Sequence, residues 1–113
     1  MSAILERTKT ISYDQILKER FSRDPKQILE HLNAMLGAPK EPELFLLGLR
    51  QVATALGMTQ ISNTTGLGRE SLYKTLSEEG NPTIKTLLLL LDAMGLQLAV
   101  IRKTEETEEQ QEV

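Results

Sequence analysis

Gly57-Met58-Thr59-Gln60-Ile61-Ser62-Asn63-Thr64-Thr65-Gly66-Leu67-Gly68-Arg69-Glu70-Ser71-Leu72-Tyr73-Lys74-Thr75-Leu76-Ser77 has the pattern of two short amphipathic helices folded about a glycine. The first, over about 58–65, places Ile61 and Thr65 on its inner face. A chain that turns sharply at Gly66 needs a residue that tolerates positive φ, and glycine does so at little steric cost. Leu67 then falls between the helices, and the second helix, from Arg69 to about Leu76, buries Leu72 with Leu76 or Thr75. Small Ser62 stands where the two would approach closely. This is the spacing of a helix-turn-helix, whose second helix enters the DNA major groove with its N-terminal residues foremost. An ordinary αα-hairpin with Arg69, Glu70 and Lys74 on a solvated face has the same pattern, so the flanks have to separate the two.

Upstream, Ser12 and Gln15 fit a capping box that opens a helix to about Arg20. Asp24-Pro25 repeats the start signal, and the helix that follows carries Ile28, Leu29, Leu32, Met35 and Leu36 on one face, up to Gly37. Pro42 begins a third helix to Leu56, with a buried face expected from Leu44, Leu47, Leu49, Val52 and Leu56, and with Phe45 and Ala55 beside them. Downstream, residues 78–82 are turn chemistry, Thr83 caps a last helix over 84–94, and Gly95 stops it. Gly37, Gly57, Gly66 and Gly95 all read as punctuation after helices.

Two features point beyond a lone helical unit. The last helix carries five leucines in a row, Leu87 to Leu91, and a helix apolar nearly all round is covered on more than one side. Residues 96–102 then alternate as a strand does, with no second strand to pair with. The same strand of a second copy would supply the missing neighbour. The expected dimer contacts are Leu89, Leu90, Leu96, Leu98 and Val100. The fold expected is therefore all-α: a bundle of about six helices with one C-terminal strand pairing across a homodimer. Residues 1–11 read as a flexible N-terminus, 12–102 as the folded domain, and 103–113 as a disordered acidic tail.

Composition limits the rest. At 113 residues the chain is one domain without cysteine, suited to a reducing cytoplasm. The N-terminus lacks the apolar core of a signal peptide, and no apolar run approaches membrane-spanning length. Residues 103–113 hold five Glu and one Lys, a net charge of −4, which leaves +1 on residues 1–102 of the total of −3. A near-neutral domain attracts phosphate weakly, so specificity on DNA would rest on base contacts and dimer geometry. One histidine, no cysteine and no clustered carboxylates outside the tail leave no triad, metal site or general-base pair, so neither an enzyme nor a cofactor is expected. His31 lies at the margin of an apolar face and reads as a boundary residue.

The run Gly66-Leu67-Gly68-Arg69-Glu70-Ser71-Leu72-Tyr73-Lys74-Thr75-Leu76-Ser77-Glu78-Glu79-Gly80-Asn81-Pro82-Thr83 resembles the hallmark of the probable addiction-module antidote proteins. Leu91-Asp92-Ala93-Met94-Gly95-Leu96-Gln97-Leu98-Ala99-Val100 is similar to that family's close. Asp24-Pro25 and the segment from Pro42 to Leu46 extend the likeness, which covers roughly residues 12–102. The resemblance implies a lambda-repressor-like helix-turn-helix and an antitoxin that neutralises a small toxin of the RelE/ParE kind. It also implies repression of the shared promoter by a dimer on double-stranded operator DNA. Departures are Met58 where glutamine usually begins the first motif helix, Ser62 for the usual alanine, and Gly68 where serine or asparagine usually caps the recognition helix.

The DNA-facing set is then Thr59, Gln60 and Asn63 on the first helix, with Gly68, Arg69, Glu70, Ser71, Tyr73 and Lys74 on the second. Arg69 is placed for bidentate pairing to guanine. Glu70 would accept from cytosine or simply complement the helix dipole. Tyr73 suits a thymine methyl or a phosphate, and Lys74 a phosphate. A stand-alone or phage-type repressor is the alternative to an antitoxin, and a pure protein-interaction module built on the leucine-rich helix is a third class. The acidic tail reads as solubilising, with a toxin contact as the sharper alternative.

Overall fold

The computed structural model describes residues 12–37 and 41–103. Six helices span them: α1 (Tyr13–Arg23), α2 (Lys26–Leu36), α3 (Pro42–Leu56), α4 (Met58–Thr65), α5 (Arg69–Thr75) and α6 (Ile84–Ala93). No strand occurs among the described residues. The expectations for 1–11 and for the tail beyond Lys103 lie outside them.

Ser12 opens α1 with a complete capping box. Its hydroxyl accepts from the Gln15 amide at 3.1 Å, and the Gln15 side chain accepts from the Ser12 amide at 3.2 Å. The helix passes Arg20 and reaches Arg23, because Phe21 is a core residue that the longer helix buries beside Leu17. Asp24 then accepts from the Lys26 amide, and Pro25 leads into α2.

α3 is the axis, packed against α1, α2 and α4. Its buried stripe is Leu46, Leu49, Val52 and Ala53, with Ala55. Leu44, Leu47 and Leu56 are only half-buried, since the stripe covered by α1 and α2 is centred two positions away from Leu44. On α2 the expected face narrows in the same way: Ile28 and Leu32 are buried, whereas Leu29 and Leu36 stay about half exposed. Gly48, in mid-helix, marks the closest approach. A Cβ there would lie 3.0 Å from Met35 Cγ and 3.3 Å from Leu32 Cδ2, so a larger residue would push α2 off α3. His31 closes the margin of this interface, with Nε2 2.7 Å from Gln51 Oε1 and its ring edge-on to Phe21.

At Gly57, with φ of 105°, the chain bends by 100° from α3 into α4. Buried Met58 and Ile61 carry the core from there into Leu72 and Leu76, and α6 closes it with Leu90, Leu91 and Met94. The Thr83 hydroxyl accepts from the Thr86 amide to start α6. A Schellman motif ends it: Gly95 has φ of 77°, its amide bonds Asp92 O, and the Leu96 amide bonds Leu91 O at 2.8 Å. Gly37, by contrast, keeps a right-handed φ of −65° and needs no glycine-specific conformation. No single helix among the described residues is long and apolar enough to cross a membrane.

Leu96 packs half-buried against the core, and residues 97–103 then run exposed. The expected strand is therefore not formed within one chain. A ladder needs a second edge, and the described residues contain none.

Candidate nucleic-acid interface

The turn between α4 and α5 is held by side chains of α4. Gly66 adopts the left-handed conformation (φ 79°, ψ 4°), with its amide bonded to Ser62 O at 2.9 Å. The Ser62 hydroxyl donates to Leu67 O at 2.5 Å. The Thr65 hydroxyl donates back to Ile61 O at 2.7 Å and accepts from the Leu67 amide at 3.2 Å. Leu67 is thus tied at both its amide and its carbonyl, half-buried against the core. Two hydroxyls, rather than packing alone, fix the angle at which α5 leaves α4. Thr65, expected as an inner-face residue, is half-buried and does most through its oxygen.

Gly68, extended at φ −68° and ψ 148°, precedes α5 without a side-chain cap, and its carbonyl accepts the Leu72 amide at 2.9 Å. Leu72 and Leu76 are almost wholly inside, at 1% and 0% exposure. The opposite side of α5 is therefore open. Arg69, Glu70, Ser71, Tyr73 and Lys74 are all exposed, as are Thr59, Gln60, Asn63 and Gly68. The Arg69 guanidinium lies over the Tyr73 ring at 6.0 Å from its centroid, which steers it along the helix surface. Glu70 sits in the first turn and Lys74 in the last, each favourable to the helix dipole.

The candidates expected from the sequence lie within residues 59–74 and include none on α3. Half-buried Arg50 lines the same cleft as Tyr73, together with Gln51, Thr54 and Asp14. The signal was present: Arg50, Gln51 and Thr54 are the polar positions in the second half of an otherwise apolar helix.

Among the expected dimer contacts, Leu90 is fully buried in the chain's own core at 0% exposure and is not available to a partner. Leu89 is half-buried. The helical period explains this, because Leu87, Leu90, Leu91 and Met94 share the inward face, while Ile84 and Leu88, one turn apart, share the outward one. Ile84 is 67% exposed and Leu88 46%. Of the C-terminal set, Leu96 is half-buried, Leu98 is exposed and Val100 is almost bare, as is Ile101 beside it.

A family model described as "Probable addiction module antidote protein" matches residues 12–102, all six helices and the segment after them. An uncharacterised protein of Haemophilus influenzae is 45% identical over 58 residues, which is 51% of this chain. The match covers 60% of the length of that relative. No solved structure gives a significant match.

Proposed function

The chain belongs to the probable addiction module antidote family, and from that premise we propose that it is the antitoxin of a toxin–antitoxin pair. In this reading it is a binding protein of the cytoplasm that neutralises a small RelE/ParE-like toxin and represses its own promoter. α4 and α5 act as a lambda-repressor-like helix-turn-helix, with α5 in the major groove.

One observation supports the DNA half most. The nine candidate contacts are all exposed, on two consecutive helices whose other faces, Met58, Ile61 and Leu72, are buried. Arg69 leads α5, where a guanidinium reaches the guanine edge, and Lys74 follows as a phosphate contact. Repression by a dimer would use the exposed residues Leu98 to Ile101 as strand against strand, with Ile84 and Leu88 as the outward face of α6.

The test has two parts. The purified chain should bind a fragment from upstream of its own gene more tightly than a scrambled fragment, with affinity falling steeply with salt. Co-expression should rescue growth from the product of the adjacent small open reading frame. DNA binding without any toxic neighbour would leave a stand-alone repressor, and rescue without DNA binding would leave a pure toxin inhibitor.

A further inference from the structure

Between the first turns of α3 and the turn after α5 the surface opens into a groove of two adjoining lobes, about 340 and 510 Å³ in volume. Both lobes share Glu43, Leu46, Glu78 and Glu79. Phe45, Leu46, Leu49 and Leu87 line one lobe, and Leu44, Leu47 and Leu76 line the other. Phe45 and Leu47 are half-buried, so the floor keeps apolar surface open to solvent. The rim is acidic: Glu43, Glu78 and Glu79 are exposed, and half-buried Arg50, in the second lobe, is the one cation among the residues that line the groove.

The groove's chemistry chooses its occupant. An apolar floor with three carboxylates against one half-buried arginine carries net negative charge, which disfavours phosphate. A segment with apolar side chains on one side and lysine or arginine beside them satisfies floor and rim together, the cationic heads reaching the carboxylates while their stems cover the floor. The groove also lies past the C-terminal end of α5, whereas Arg69 stands at its N-terminal end.

Resting on the antitoxin reading above, we propose that this groove is where the toxin docks, through a basic amphipathic segment of the toxin. The carboxylates of Glu43, Glu78 and Glu79 meet the cationic groups of that segment.

The experiment uses the full chain and the product of the adjacent open reading frame as the probe. The variant Glu43→Lys/Glu78→Lys/Glu79→Lys should weaken binding of that product about tenfold or more and lose growth rescue. Its affinity for promoter DNA should stay the same or rise. Glu43→Gln/Glu78→Gln/Glu79→Gln, which keeps shape and removes charge, should lose less, and it carries the same test if the lysine variant fails to fold. A wild-type chain that does not bind the product overturns the antitoxin reading and the groove with it. Wild-type binding that neither variant disturbs overturns the groove alone. A change in the chain's own oligomeric state, with toxin affinity unaltered, would assign the groove to a second copy and also overturn the proposal.

Discussion

Gly80 faces the Thr75 carbonyl so closely that a Cβ at position 80 would overlap the carbonyl oxygen. The Gly80 amide also bonds Ser77 O at 2.8 Å, so the chain folds back on the end of α5 with backbone against backbone. No flexible side chain stands there to give way. Gly80→Ala should therefore reopen the turn and cost about 1–3 kcal/mol of stability, in the range of overpacked sites. Denaturant unfolding checks the stability, and promoter binding should weaken in parallel because the turn anchors α5.

Gly68 gives the opposite expectation. Its backbone is extended, a Cβ there meets nothing within 4 Å, and α5 lacks a side-chain cap. Gly68→Ser supplies a hydroxyl for the free amides of the first turn and should stabilise the fold by a few tenths of a kcal/mol. The same hydroxyl stands beside Arg69, so affinity for DNA should rise slightly. A loss of affinity with stability gained would show that the backbone at position 68 needs to lie bare against the DNA.

Arg69 and Lys74 should separate by kind of contact. Arg69→Ala should cost about 1–3 kcal/mol on the operator and relax discrimination at one base position per half-site. Lys74→Ala should weaken all sequences alike and flatten the salt dependence. Equal losses on operator and random DNA for Arg69→Ala would remove it from base reading.

Much of this was legible from the residues, for identifiable reasons. Helix starts are legible at Ser12, Pro25, Pro42 and Thr83, because capping and proline act over a few neighbours and owe little to the rest of the fold. Which leucines of α3 and α6 face inward is less legible. In an apolar helix every side is hydrophobic, and the covered stripe depends on where α1 and α2 arrive. Leu46 buried in place of Leu44, and Leu90 buried in the chain's own core where a dimer contact is expected, are settled by tertiary packing. Gly48 and Gly80 were also opaque, since their need for no side chain comes from Met35 and from the Thr75 carbonyl. In the α4–α5 turn the glycine was legible from Gly66, but the hydroxyl ties of Ser62 and Thr65 were not.

A dimer built on residues 97–102 is testable through what that segment does within one chain. Among the described residues, the last backbone bond toward the C-terminus that ties this segment to the fold is the Leu96 amide to Leu91 O. Leu98 and Val100 thus have amides free of the fold and side chains 47% and 97% exposed. Proline at either position removes a donor that the single chain does not use, so Leu98→Pro and Val100→Pro should leave helix content and unfolding of the monomer unchanged. If strand pairs with strand across a two-fold axis, the same substitutions break the ladder. The two α5 helices would no longer be held about 34 Å apart, one turn of DNA. Promoter affinity should then fall further than from Arg69→Ala, because both half-sites are uncoupled at once. Ile84→Asp, on the outward face of α6, should act in the same direction if that face lies in the interface. Sedimentation of the wild type at micromolar concentration decides the matter: a dimer that Val100→Pro converts to a folded monomer is the expected result. A wild type that sediments as a monomer without DNA or toxin would sink the two-fold reading, and the exposed segment would then need a different partner.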